Sequence, residues 1–134
     1  MIRGLNIILH YIKMTSKKQS FKEAHPFEKR RSEAARIRSK YPDRAPVIIE
    51  RDPRCKTIPN PEKIKFLVPD ELTIGQLIHV QRRRLQLSPE KALFLFINGS
   101  ILVPTAALLS NVYAEHVDED GFLYGTICTE NTFG

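Results

Sequence analysis

Two cysteines and four histidines are the side chains of this 134-residue chain most able to do covalent or metal chemistry. Cys55 lies in RDPRCKT and Cys128 in an apolar stretch, and neither has a histidine close by in sequence to act as its base. Pairing with a distant histidine stays open. Two cysteines are too few for a disulfide scaffold or an all-cysteine zinc site, and CxxC spacing is lacking. His10, His25, His79 and His116 show no HExxH-type spacing. With no local catalytic or metal motif, the chemistry that the sequence suggests is recognition.

Four apolar residues stand where a solvated face would be polar. Glu33 and Ile37 are four apart and share one face of a helix. Leu67 sits on the same strand face as Lys63 and Lys65, which hints at a covered or binding surface. Leu77 and Val80 fall on the flank of a later helix, next to Arg84; a wide core face is the favoured explanation and a second groove the alternative.

Charge narrows the choice of partner. The net +6 divides into +10 over residues 1–66 and −4 over residues 67–134, so the leading half suits an anionic partner. Lys29-Arg30-Arg31 and Arg82-Arg83-Arg84 could serve nucleic acid, but neither run is interleaved with aromatics and no zinc finger, RNP motif or glycine-rich clamp accompanies them. No nucleic acid is expected. With 42% hydrophobic and 27% charged residues, the chain has the balance of one soluble globular domain.

The elements that must position these residues follow from the pattern. The first fourteen residues, MIRGLNIILHYIKM, are apolar but too short to span a bilayer and lack a signal cleavage site. Residues 1–19 read as a flexible extension, either the product of an upstream start with Met14 as the customary first residue or a short interfacial helix. Ser20-Phe21-Lys22-Glu23 has the form of a capping box, so a helix begins near residue 21 with Pro26 in its first turns. A second helix is expected from Ser32-Glu33 to Tyr41, stopped by Pro42. Residues 45–51 (APVIIER) and 63–68 (KIKFLV) read as an antiparallel strand pair, with Ile64, Phe66 and Val68 on one face. Thr73 caps a helix to about Leu87 whose core stripe is Ile74, Ile78 and Leu85. Residues 93–98 form a buried strand that turns at Asn98-Gly99, residues 105–115 a short helix, and residues 122–128 a last strand. Residues 129–134 read as a mobile tail. The expected fold class is therefore α+β: a ubiquitin-like β-grasp, a four-stranded mixed sheet with a helix across one face, preceded by two additional helices over about 21–41. Residues 20–128 make up this domain.

FKEAHPFEKRRSEAARIRSKYPDRAPVIIER, KFLVPDELTIGQ, ALFLFING, DEDGFLY and the closing ENTFG occur in that order. Together they closely resemble the ubiquitin-like autophagy modifiers, the family that includes GABARAP, over residues 20–134. The resemblance implies a protein with no active site and no cofactor of its own. Activating and conjugating enzymes would pass its C-terminal glycine, here Gly134, along as a thioester and join it to the amine of phosphatidylethanolamine. The chain would be cytoplasmic, and on autophagosome membranes once lipidated, where it recruits cargo receptors. A glycine suits this chemistry because it obstructs neither the attacking thiolate nor the amine. Nothing follows Gly134 for the family's processing and delipidating cysteine protease to remove, so a processed form or a product that skips processing is expected. A non-conjugated interaction module or trafficking adaptor with the same pockets is the alternative.

The family's docking surface for aromatic-x-x-aliphatic motifs carries over residue by residue. The aromatic pocket maps onto Glu33, Ile37, Pro46, Lys65, Leu67 and Phe122, and the aliphatic pocket onto Phe66, Val68, Pro69, Leu72, Leu77 and Val80. Arg44, Lys63 and Arg84, with Lys65, stand where they would meet acidic residues flanking the motif. The resemblance also implies tubulin as a partner of the leading helices. Three departures bear on partner choice: the length of residues 1–19, Gly121 where some members place an aromatic, and NGSILV over 98–103 in place of a Pro-rich connection.

Overall fold

The computed structural model describes residues 19–129. The expectations for residues 1–18, for the tail from Glu130 and for Gly134 lie outside the described residues. Eight elements run in order: α1 (Phe21–Ala24), α2 (Phe27–Lys40), β1 (Arg44–Arg51), β2 (Lys65–Pro69), α3 (Ile74–Leu85), β3 (Phe94–Ile97), α4 (Leu109–His116) and β4 (Leu123–Cys128). The strands form one mixed sheet in the order β2-β1-β4-β3. β1 is antiparallel to β2 and parallel to β4, and β3 is antiparallel to β4. With α3 linking β2 to β3, this is the expected α+β ubiquitin-like arrangement.

Both faces of the sheet are covered, which is why β1 is buried without interruption from Ala45 to Ile49. Ala45, Val47 and Ile49 pack into the larger core with Ile74 and Leu77 of α3 and with Leu109 and Val112 of α4. Ile48 points the other way, into a smaller cluster with Phe21, Ala34 and Phe122 beneath α1 and α2. The Phe21 ring meets Phe122 edge-on at 5.3 Å between centroids.

Several elements depart from the sequence reading for identifiable reasons. α2 begins at Phe27, not Ser32, because Pro26 caps it in an extended conformation and its carbonyl accepts the Lys29 and Arg30 amides; Pro26 therefore opens α2 and does not lie within α1. Ile64 precedes β2 and packs with the smaller cluster, so it does not share a face with Phe66 and Val68. α4 starts at Leu109, not Thr105, since the carbonyls of Thr105 and Ala107 are occupied by the first amides of α3, from Gly75 and Ile74. The buried stripe of α3 is Ile74, Leu77 and Gln81, with Ile78 and Leu85 half-buried beside it. Leu77 is thus core and not flank, and a buried glutamine concealed the true stripe.

Thr73 does cap α3, and with Gln76 it forms a reciprocal box. Thr73 Oγ1 accepts the Gln76 amide at 3.2 Å and Gln76 Oε1 accepts the Thr73 amide at 2.9 Å. Thr73→Ala is expected to cost about 1 kcal/mol, seen as a drop in Tm of roughly 3 to 5 °C on thermal unfolding, with Thr73→Ser close to wild type.

Candidate functional site

The edge of the sheet at β2 is where the residues singled out in the sequence come together. Two backbone bonds bracket the β1/β2 pair: the Ile49 amide donates to the Ile64 carbonyl at 2.8 Å, and the Asp70 amide to the Asp43 carbonyl at 3.0 Å. Alternation between these two bonds turns Phe66 and Val68 toward β1 for hydrogen bonding and leaves the amides and carbonyls of Lys65 and Leu67 facing outward. Pro69 then closes the edge, having no amide to offer. Among the described residues, β2 thus presents about two residues' worth of unused strand backbone, the template that an extended peptide requires. Pro46 is tolerated in a central strand because pairing of β1 with β4 begins only at Val47.

Side chains from α2 on one side and from α3 on the other flank this edge. Between β2 and α2, Leu67 and Ile37 are half-buried and Pro46 is buried. The Lys65 ammonium forms an ion pair with the Glu33 carboxylate of α2 and lies 5.3 Å from the Phe21 ring centroid. Phe122 has no exposed surface and serves only as a floor under Phe21 and α2. Between β2 and α3, Pro69 and Val80 are exposed and Leu72 is half-buried, while Phe66, Val68 and Leu77 are buried at 9%, 3% and 3% exposure. Leu77 therefore contributes from below, and Val80 is the surface that α3 offers.

The basic rim is arranged around one ring. Lys63 Nζ lies 5.0 Å and the Arg84 guanidinium carbon 5.7 Å from the Phe66 centroid, so two cations meet on the α3 side. Arg44 lies 6.0 Å from the Tyr41 ring, and its carbonyl accepts from Arg38 at 2.7 Å. An acidic segment approaching the edge of β2 would meet these charges first. Two cavities, of about 370 and 480 Å³, lie away from β2, around Ser20, Glu50 and Thr126.

What holds α2 over the sheet was not legible in the sequence. Asp120, which reads there as part of an acidic turn, is buried at 1% exposure. Its carboxylate accepts from Arg30 Nη1 and the Tyr124 hydroxyl, both at 2.5 Å, and from the Phe122 amide at 2.8 Å. Hydrogen bonding to Tyr124 and Asp120 raises the Arg30 guanidinium above its ordinary value in spite of burial. Burial, then the bond to Asp120, pushes the Tyr124 phenol up. Arg30 thus belongs to a structural anchor and not to a solvated basic run. Gly121 follows with φ +93°, and a Cβ there would stand 2.9 Å from the Cβ of Ala34. The glycine lets α2 approach closely, and that approach sets the spacing of Glu33 and Ile37 from Leu67.

Among the described residues, no three His, Cys, Asp or Glu side chains cluster as metal ligands do. No helix among them is long and apolar enough to cross a membrane. The family model described as "Autophagy protein Atg8 ubiquitin like" matches residues 29–134. The chain belongs to the Atg8 ubiquitin-like family. Autophagy-related protein 8d of Arabidopsis thaliana is 57% identical over 115 residues, 86% of this chain and 94% of that relative. Autophagy-related protein 8 of Emericella nidulans and that of Neosartorya fischeri are each 56% identical over 117 residues, 87% of this chain and 98% of each relative. The Atg8 match begins within α2 and takes in all of β1, β2 and α3.

Proposed function

We propose that this chain is an autophagy modifier, joined through Gly134 to phosphatidylethanolamine, that draws cargo receptors to the membrane by docking their aromatic-x-x-aliphatic motifs on β2. Other enzymes act on it, and it catalyses nothing itself. It works in the cytoplasm and, once conjugated, on the autophagosome surface. The observation that supports this reading best is the outward-facing backbone of Lys65 and Leu67 with apolar side chains on either flank and cations on the rim. A motif with residues i and i+3 apolar would place one side chain on each flank while its backbone pairs with β2, and preceding acids would meet Lys63 or Arg84.

Leu67 is the side chain shared by the exposed backbone and the flank beside α2, so its truncation tests the docking half of the proposal. Titrating an acidic aromatic-x-x-aliphatic peptide by calorimetry, Leu67→Ala is expected to weaken binding by about 1 to 3 kcal/mol, roughly 5- to 150-fold. Equal affinity for variant and wild type would remove the pocket assignment. Adding salt should slow association more than it weakens affinity, because the rim charges are exposed.

A further inference from the structure

The two cysteines lie away from the docking surface, and the fold brings them side by side. β1 ends at Arg51, opposite Ile127 of β4. The Asp52 amide donates to the Ile127 carbonyl at 3.0 Å, and the chain then turns, the Cys55 amide donating to the Asp52 carbonyl at 2.9 Å. Asp52 holds this turn by accepting from the Arg54 amide at 2.9 Å and from the Arg54 guanidinium at 2.9 and 2.7 Å. The turn delivers Cys55 to Cys128, the last residue of β4. Both are buried, at 2% and 0% exposure, in the same core cluster, and the two thiols lie within hydrogen-bonding reach of each other. Neither is in a disulfide. The Thr57 hydroxyl, 3.1 Å from the Cys55 sulfur, also meets the Thr129 hydroxyl, so the turn and the strand end are fastened at a second point.

We propose that Cys55 and Cys128 form a reversible intramolecular disulfide, a redox-sensitive modification site that clips the turn after β1 to the end of β4. The turn that carries Cys55 is bonded to the end of β4 at Asp52–Ile127 and at Thr57–Thr129, so the two thiols are held together by backbone and side-chain bonds on either side of them. Burial pushes the Cys55 thiol up, but hydrogen bonds from Cys128, from the Thr57 hydroxyl and from the Thr57 and Thr129 backbone outweigh it and bring the thiol down to about 7. Cys55, carried by the turn and not by the strand, is the attacking sulfur. The neighbouring Pro53, Arg54, Lys56 and Thr57 are exposed, so local opening of this one turn admits a small oxidant while the sheet stays folded.

A low-molecular-weight disulfide such as oxidised glutathione supplies the oxidising equivalents. The Cys55 thiolate attacks one of its sulfurs, forming a mixed disulfide and releasing one glutathione thiolate. Cys128 loses its proton to solvent and attacks the Cys55 sulfur, expelling the second glutathione. Two protein thiols become one disulfide, and one glutathione disulfide becomes two thiols. In a reducing compartment such a bond is transient, as befits a sensor and not a scaffold.

The test uses the full chain treated with oxidised glutathione, followed by intact mass and a non-reducing peptide map. The expected product is lighter by about 2 Da, carries a Cys55–Cys128 cross-link that dithiothreitol reverses, and melts roughly 5 to 10 °C higher. Cys128→Ser is expected to retain glutathione on Cys55 and to show no such mass loss. Glutathione adducts on both wild-type cysteines, disulfide-linked dimers, or thiols that stay reduced in the folded chain while the unfolded chain cross-links would each overturn the proposal. The deciding measurement is made on wild type, so misfolding of a variant does not affect it. The outcome is independent of peptide docking and of conjugation.

Discussion

Asp120→Ala is expected to destabilise the chain by about 3 kcal/mol, lowering Tm by roughly 10 °C. The substitution leaves three donors facing a site that no longer accepts: Arg30, the Tyr124 hydroxyl and the Phe122 amide. Removing one partner of a buried ion pair costs about 3 to 5 kcal/mol, and the lower end applies because the Arg30 side chain keeps 11% exposure and water can reach it again. Asp120→Asn retains one acceptor oxygen and should fall between Ala and wild type. The effect should also reach function. Arg30 lies on α2, as do Glu33 and Ile37, so loosening the anchor shifts these residues away from β2, and peptide affinity should fall even though Asp120 touches no ligand. Thermal unfolding read alongside calorimetry separates the two effects.

Gly134→Ala is expected to reduce conjugation by roughly 100-fold or more, the scale of penalty that follows when a reacting carbonyl is displaced by about an ångström. Thioester transfer requires a thiolate and then an amine to approach the terminal carbonyl, and an added methyl obstructs both paths. Supplying activating enzyme, conjugating enzyme, ATP and phosphatidylethanolamine liposomes should give a faster-migrating species with wild type and none with the variant. Peptide binding should be the same for both proteins. If wild type gives no conjugate with enzymes that work on another family member, the lipidation proposal fails and a non-conjugated interaction module takes its place.

The parts of this fold that periodicity and turn chemistry encode were open to reading. The β1/β2 pair, the Thr73 cap and the Asn98-Gly99 turn, where φ takes values of 52° and 81°, follow from local residue types. Leu67 among lysines stood out because its neighbours are hydrophilic, and the structure places it half-buried next to α2. What periodicity could not supply is the choice between equivalent faces. Gln81 occupies a core position of α3, so the apolar pattern drew the stripe through Ile78 and Leu85 and set Leu77 aside. Pro26 suits the first turn of either leading helix by residue type alone, and only the packed structure shows that it opens the second. The Arg30–Asp120 anchor joins residues ninety positions apart and looks in sequence like an ordinary basic run and an ordinary acidic turn. Likewise, nothing local announces that Cys55 and Cys128 meet. Such contacts depend on how elements stack, and their sequence signatures are those of solvated surface.

Docking of this kind requires that a partner peptide add a strand to β2. Amide hydrogen exchange of the chain with and without an acidic aromatic-x-x-aliphatic peptide reads it residue by residue. The amides of Lys65 and Leu67 should gain protection of roughly 10-fold or more on binding, while those of Phe66 and Val68, already bonded to β1, should change little. A peptide that binds with no added protection at Lys65 and Leu67, or that protects the opposite edge at β3, would contradict the account.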